Sequence, residues 1–155
     1  MNFVYFLCGV PYSGKTTFAE NHFENCQHLS RDHIIQKIAT MCSQSYMEVY
    51  EDLKLFSETQ VVREIQQAIK RNRDIVLDEC NISVAIRKKR LDLFNNSYRK
   101  IIYVFPNPDQ ATLEARQRTR GKYIPDDVVT GMIANFQMPT LEEGFDEIRP
   151  YYGNV

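Results

Sequence analysis

Short apolar runs alternate along the chain with longer stretches in which apolar residues recur every three or four positions. Residues 2–8 (NFVYFLC) are apolar, of strand length and rich in strand formers, and they predict a buried first strand. A loop and a helix from about Lys15 to Asn25 follow, and residues 27–30 (QHLS) read as a short second strand. Helical patterning covers Asp32–Thr40 and about Met47–Asn72, where Val62, Ile65 and Ile69 repeat at helical spacing. Residues 75–78 (IVLD) form a short apolar run ending in an acid, Ile82–Phe94 is helical again, and Asn95-Asn96-Ser97 reads as a turn. The segment 101–105 (IIYVF) is the most strand-like of all. Pro106 and Pro108 close it and open a helix over about Asp109–Thr119. Residues 120–125 read as a loop, 126–136 as a further helix, and the tail from Pro139 as irregular. Strands alternating with helices predict an α/β fold. The expectation is one domain over 1–155, with a central parallel sheet of four to five strands flanked by helices. Wholly apolar strands fit a sheet covered on both faces.

Composition narrows the class. With 43% hydrophobic and 25% charged residues, the 155-residue chain has enough apolar material for a core and an ordinary polar surface. A net charge of −1 excludes a global basic footprint for nucleic acid, though a local patch would suffice. No run approaches the ~20 apolar residues of a membrane span. The start, MNFVYFLCGV, lacks a basic leader and runs into a glycine-rich loop, so it reads as a strand rather than a signal peptide. These features point to a cytoplasmic protein, or a nuclear or host-cytoplasmic one depending on its source, without a membrane partner. Cys8, Cys26, Cys42 and Cys80 form no C-x-x-C pair and are expected to be buried, reduced thiols.

The strongest chemical signal is Gly9-Val10-Pro11-Tyr12-Ser13-Gly14-Lys15-Thr16, a full match to G-x-x-x-x-G-K-[ST]. A chance match in a chain this long is roughly one in two hundred. The preceding strand and following helix lower that further. Glycines let the backbone curl so that its N–H groups face phosphate oxygens, and the helix N-terminus adds partial positive charge. Lys15 suits the β- and γ-phosphates, and the Thr16 hydroxyl suits magnesium. Pro11, Ser13 and Thr17 complete the expected ATP-binding set at this loop. No N-K-x-D guanine motif is present, and a motor ATPase needs a larger core, so a phosphotransferase using ATP and Mg2+ is the leading class.

Asp32 follows the second strand, where a carboxylate is able to orient a hydroxyl and take its proton. The same residue, or Ser30, also suits a helix N-cap, and spacing alone leaves both readings open. Asp78 ends the third strand at the position of an acid that holds magnesium through water. Asn81 or Ser83 behind it suits either a contact or a cap. Arg116 and Arg120 lie four apart, on one helix face before Gly121, and suit a lid that closes over the triphosphate. A solvated basic helix end is the alternative. Arg87-Lys88-Lys89-Arg90 is a charge run that reads mainly as a solvated face, otherwise as a contact to a polyanion.

Together these segments resemble the kinase domain of polynucleotide 5′-hydroxyl kinases, of the phage and eukaryotic DNA-repair types, from Phe3 to about Ile148. GVPYSGKTTF is similar to the family's G-x-P-x-[SA]-G-K-[ST]-T loop, LSRD to its N-R-D segment, IVLDECN to its D-x-T-N strand end and ARQRTRG to its R-x-x-x-R lid. IPDDVV and PTLEEGFDEI resemble a helix and tail of the eukaryotic form. The resemblance implies that Asp32 is the general base and that Lys15 and Arg120 act in catalysis. It implies ATP contacts for Arg116 and Arg120, and acceptor-side contacts for Arg31, Asp78 and Asn81. Ser30 and Cys80 depart from the family pattern, and Ile35 stands where phage-type enzymes carry an arginine that grips the acceptor's phosphate. The implied acceptor is the 5′-hydroxyl end of a DNA or RNA strand. The alternatives are a nucleoside, another small alcohol or a hydroxymethylated base in DNA, and, from a different class, a non-catalytic nucleotide-binding module.

Overall fold

The computed structural model describes residues 1–119 and 123–151. Five parallel strands form one sheet: β1 (Asn2–Cys8), β2 (Gln27–Leu29), β3 (Ile75–Leu77), β4 (Tyr98–Val104) and β5 (Glu147–Pro150), in the order β2-β3-β1-β4-β5. Six helices connect and cover them: α1 (Lys15–His22), α2 (Arg31–Met41), α3 (Tyr46–Lys70), α4 (Val84–Leu91), α5 (Gln110–Thr119) and α6 (Asp126–Ala134). The central strands are the most apolar, since they touch helices on both sides. Val4, Phe6, Leu7, Ile75, Val76, Leu77 and Ile102 are fully buried. Phe6 stacks edge-on against Phe145, and Val61 and Ile65 of α3 join the same core.

Helix starts follow from local chemistry. Ser30 caps α2 by accepting the His33 N–H, so the cap falls to Ser30 and not to Asp32. Ser45 and Glu48 form a reciprocal capping box at the head of α3. Ser83 caps α4, which settles which of Asn81 and Ser83 is the cap. Helix α1 opens at Gly14, whose φ of 96° is the left-handed conformation that favours glycine.

Three sequence expectations are corrected. The tail is not wholly irregular: β5 pairs with β4, Ile101 against Glu147 and Val104 against Pro150. Its residues, EIRP, are half-exposed and charged because it is an edge strand, so no apolar run announces it. Helix α1 ends at His22, short of Asn25. The cysteines are not uniformly buried: Cys8 is, Cys26 and Cys80 are half-buried, and Cys42 is exposed. No helix among the described residues is long and apolar enough to cross a membrane.

Candidate active site

All strands run the same way, so the segments leaving β1, β2 and β3 meet at one edge of the sheet. The loop after β1 packs tightly there. Gly9 donates its N–H to the Cys80 carbonyl at 2.9 Å, and a Cβ at Gly9 would stand 2.9 Å from Ser13 Oγ and 3.0 Å from Phe105 Cβ. Any Cβ there would force Ser13 and Phe105 to shift. Tyr12 adopts φ 67°, and its hydroxyl oxygen accepts the Ile124 N–H at 2.8 Å.

Lys15 is buried, and its Nζ donates to the carbonyls of Gly9 (2.8 Å) and Val10 (2.9 Å) and to Ser13 Oγ (3.3 Å). The ammonium thus rests on loop oxygens, without a carboxylate partner among the described residues. Thr16 donates to Asp78 Oδ2 at 2.8 Å. Asp78 also accepts from His28 Nε2 at 2.9 Å. Burial pushes the Asp78 carboxyl upward, but the hydrogen bonds from His28 and Thr16 and the charge of Lys15 outweigh it and hold it below the usual carboxylate range. His33 Nε2 lies 3.9 Å from the same Asp78 oxygen. Burial holds the His33 imidazole below its ordinary value, against the upward pull of Asp78.

Asp32, in the first turn of α2, accepts a 2.5 Å hydrogen bond from Tyr46 at the head of α3. Burial and the neighbouring Asp32 charge raise the Tyr46 phenol, which keeps it a donor. Asp32 lines two adjoining cavities. The first, about 360 Å³, is also lined by Pro11, Ser13, Gly14, Lys15, Thr16, His33 and Asp78. The second, about 730 Å³, lies between α3, α4 and α6 and is lined by Arg31, Tyr46, Tyr50, Leu55, Ile82, Ile86, Lys89 and Met132. Pro11, Glu79, Cys80 and Ile124 stand with Asp32 at the junction.

The remaining sequence-predicted residues divide. Arg116 reaches the loop, donating to the Tyr12 carbonyl, with its guanidinium beside Gly14. Arg120 and the expected hinge at Gly121 lie outside the described residues. Thr17 is exposed at the start of α1 and does not line either cavity. Asn81 is 1% exposed, with a left-handed backbone, and its amide donates to the Leu7 carbonyl of β1 at 2.8 Å. Its side-chain nitrogen is therefore committed to tying the β3–α4 loop to β1. Ile35 is fully buried between α2 and α3, packed with Ala39, Tyr46 and Val49, so no side chain at that position faces an acceptor.

The charge run on α4 is corrected. Arg87 is fully buried and forms a two-pronged ion pair with Glu143, at 2.7 and 3.1 Å, while also donating to the Asn81 carbonyl. Arg90, also buried, bridges Glu58 of α3 and Glu79 of the β3–α4 loop. Burial works against the Arg90 charge, but the two carboxylates outweigh it and raise its affinity for the proton. Only Lys88 and Lys89 are solvated. Sequence reasoning missed Tyr46, His28 and the acids that pair with the arginines. Their partners lie 11 to 56 residues away in sequence, where no local pattern carries a signal.

Comparison with known proteins agrees with this geometry. A family profile described as "AAA domain" matches residues 4–139. Heterogeneous nuclear ribonucleoprotein U-like protein 2 of Mus musculus is 27% identical over 164 residues, covering 98% of this chain and 22% of that protein. The bifunctional polynucleotide phosphatase/kinase of Schizosaccharomyces pombe is 25% identical over 149 residues, covering 92% of this chain and 31% of that protein. The chain thus spans about a fifth to a third of the length of these curated relatives. Among solved structures, a chain of the PezAT chromosomal toxin-antitoxin system of Streptococcus pneumoniae superposes with a TM-score of 0.73 at 20% identity, over 97% of this chain and 67% of that one. With the profile spanning most of its length and the loop, acid and sheet order in place, the chain belongs to this AAA-domain family and has the P-loop kinase fold.

Proposed function

We propose that the protein transfers the γ-phosphoryl group of ATP to an alcohol, with Asp32 as the general base. The observation that carries this reading is that Asp32 lines both cavities, the one formed by the phosphate-binding loop and the one open to a second substrate. The acceptor hydroxyl is oriented by Asp32. Its oxygen forms the new bond to the γ-phosphorus as the bond to the β–γ bridging oxygen breaks; the proton passes to the Asp32 carboxylate, and ADP leaves. Tyr46 holds the carboxylate in place through its hydroxyl. Lys15 moves from its loop carbonyls to phosphate oxygens, and Arg116, with Arg120, offsets charge on the equatorial oxygens. The Thr16 hydroxyl and the ionised Asp78, 2.8 Å apart, offer the oxygen ligands that magnesium prefers, so these residues fit the ion and would hold it. When bound, magnesium supplies neutralisation of charge on those oxygens.

The acceptor we favour is a 5′-hydroxyl end of a nucleic-acid strand. Support comes from the name of the S. pombe relative and from the second cavity itself. Aromatic and aliphatic walls suit a base and sugar. Arg31 and Lys89, without carboxylate partners among the described residues, are available to an adjoining phosphate. The second reading, a small alcohol without phosphate, is favoured by charge balance. Lys54 is paired with Glu51, and Arg90 with Glu58 and Glu79, so the cavity carries little net charge. Labelled ATP offered with 5′-hydroxyl oligonucleotides, nucleosides and other small alcohols separates the readings. Label on oligonucleotides alone supports the first and label on small alcohols alone the second. ATP binding without transfer to any acceptor, in the wild-type protein, removes the catalytic reading altogether.

A further inference from the structure

Among the described residues, His28, His33 and Asp78 form a cluster whose ligand atoms all lie within 4.8 Å of one another. They come from three elements: the middle of β2, the first turn of α2 and the end of β3. We propose that these three side chains bind a divalent cation of the imidazole-preferring first-row series, Mn2+ to Zn2+, in the nucleotide-free protein. The chemistry follows from the donors. Magnesium favours oxygen ligands and keeps its waters, whereas imidazole nitrogen suits the later first-row ions. Thr16 faces the Asp78 carboxylate as an oxygen donor, and the two imidazoles face it as nitrogen donors.

Distances support joint ligation. His28 Nε2 and His33 Nε2 lie 2.9 and 3.9 Å from Asp78 Oδ2. Metal–ligand bonds of about 2.1 Å would span those separations at angles of roughly 90° and 135°; the first is an octahedral angle, and the second narrows to a tetrahedral one if His33 moves about half an ångström closer. A direct hydrogen bond accounts for His28, but it leaves His33 Nε2 3.9 Å from the same oxygen, beyond hydrogen-bond reach. An ion in place of the His28 proton would engage both rings. His33 is half-exposed, so its ring is free to close the last fraction of an ångström, while Ser30 anchors its backbone. The inference rests on the reading of Asp78 as the cation-facing acid, but not on phosphoryl transfer, because its test contains no nucleotide.

The test titrates Co2+ into nucleotide-free protein lacking a polyhistidine tag and follows visible absorption; Mg2+ serves as competitor and Mn2+ is read by electron paramagnetic resonance. The expected result is one bound equivalent of Co2+, held at least tenfold more tightly than Mg2+. His28→Asn and His33→Asn should each weaken Co2+ binding tenfold or more. His33→Asn, at a half-exposed position, keeps the test valid if His28→Asn fails to fold. A wild-type protein that binds Co2+ no better than Mg2+, or a folded His33→Asn protein with unchanged Co2+ affinity, overturns the proposal.

Discussion

The two sides of Asp32 handle charge differently. On the side of the phosphate-binding loop, Lys15 and Arg116 rest on backbone carbonyls. A carbonyl is a neutral partner, so each cation keeps its charge available to an arriving triphosphate. On the other side, Arg90 is bound by Glu58 and Glu79, and Lys54 by Glu51. Those cations are already neutralised, and the walls between them are aromatic and aliphatic. On the proposed reading the first cavity binds through charge and the second through shape, with Arg31 and Lys89 as its cations without an ion-pair partner among the described residues.

The largest effect should come from removing the key residue on each side. Lys15→Ala is expected to lower transfer by about 10³-fold or more and to weaken ATP binding strongly. Asp32→Ala should abolish transfer to a similar extent while leaving ATP binding near wild type. Nucleotide titration beside single-turnover assays checks both; an Asp32→Ala protein with normal turnover would remove the base assignment.

A second way to break the contrast is to remove a buried arginine. Arg87→Leu strands Glu143, which is itself 9% exposed, and leaves the Asn81 carbonyl with the weaker Cys8 thiol donor in place of the guanidinium. Breaking such a pair costs about 3–5 kcal/mol, or roughly 10 °C in unfolding midpoint for a chain of this size. Arg87→Leu combined with Glu143→Leu should recover most of that loss. Scanning calorimetry of the three proteins decides whether the pair acts as a unit.

Acid should expose the same groups. Hydrogen bonding to Arg90 lowers Glu58, and Arg87 and the Thr140 backbone outweigh burial to lower Glu143, as His28 and Thr16 do for Asp78. A depressed folded pKa contributes stability above the unfolded value, near 4, and loses it as pH falls through the folded value. Urea unfolding should therefore show a small loss between pH 7 and 6, as the unfolded chain protonates the His33 imidazole that burial keeps neutral in the fold, and a further steady loss of stability below about pH 4. A rise in stability on acidification would contradict the pairing.

The smallest effect concerns salt. If Arg31 and Lys89 make the phosphate contacts, binding of a 5′-hydroxyl single strand should fall with salt at a log–log slope of at most about −1.4, the value for two contacts. Arg31→Ala should reduce the slope by about half. A slope several times steeper would mean an electropositive surface elsewhere.

Helical periodicity and apolar runs made β1, β3, β4 and the helices legible, because those segments bury side chains that define them; β2, with Gln27 and His28 half-buried, was read as a strand without an apolar run. β5 was not, since a half-exposed edge strand is held by its backbone pairing to β4, which composition does not record. Of the site, Gly9–Thr16 and Asp78 could be read because backbone curvature and a strand end fix them locally, whereas Asp32 was singled out through the family resemblance, its spacing suiting an N-cap equally. Tyr46 on Asp32 and His28 on Asp78 could not, because each contact joins separate elements.

By itself the sequence determined the phosphate-binding loop, the order of the elements apart from β5 and the positions of the acids that follow β2 and β3, since local spacing and glycine geometry specify them. Only the tertiary structure decided the fate of the basic run on α4. The helix sinks one face into the protein, so Arg87 and Arg90 meet carboxylates on distant segments, while Lys88 and Lys89 stay in water. Burial of a charge depends on whether a partner arrives through the fold, and that is a property of three-dimensional packing rather than of neighbours in the chain.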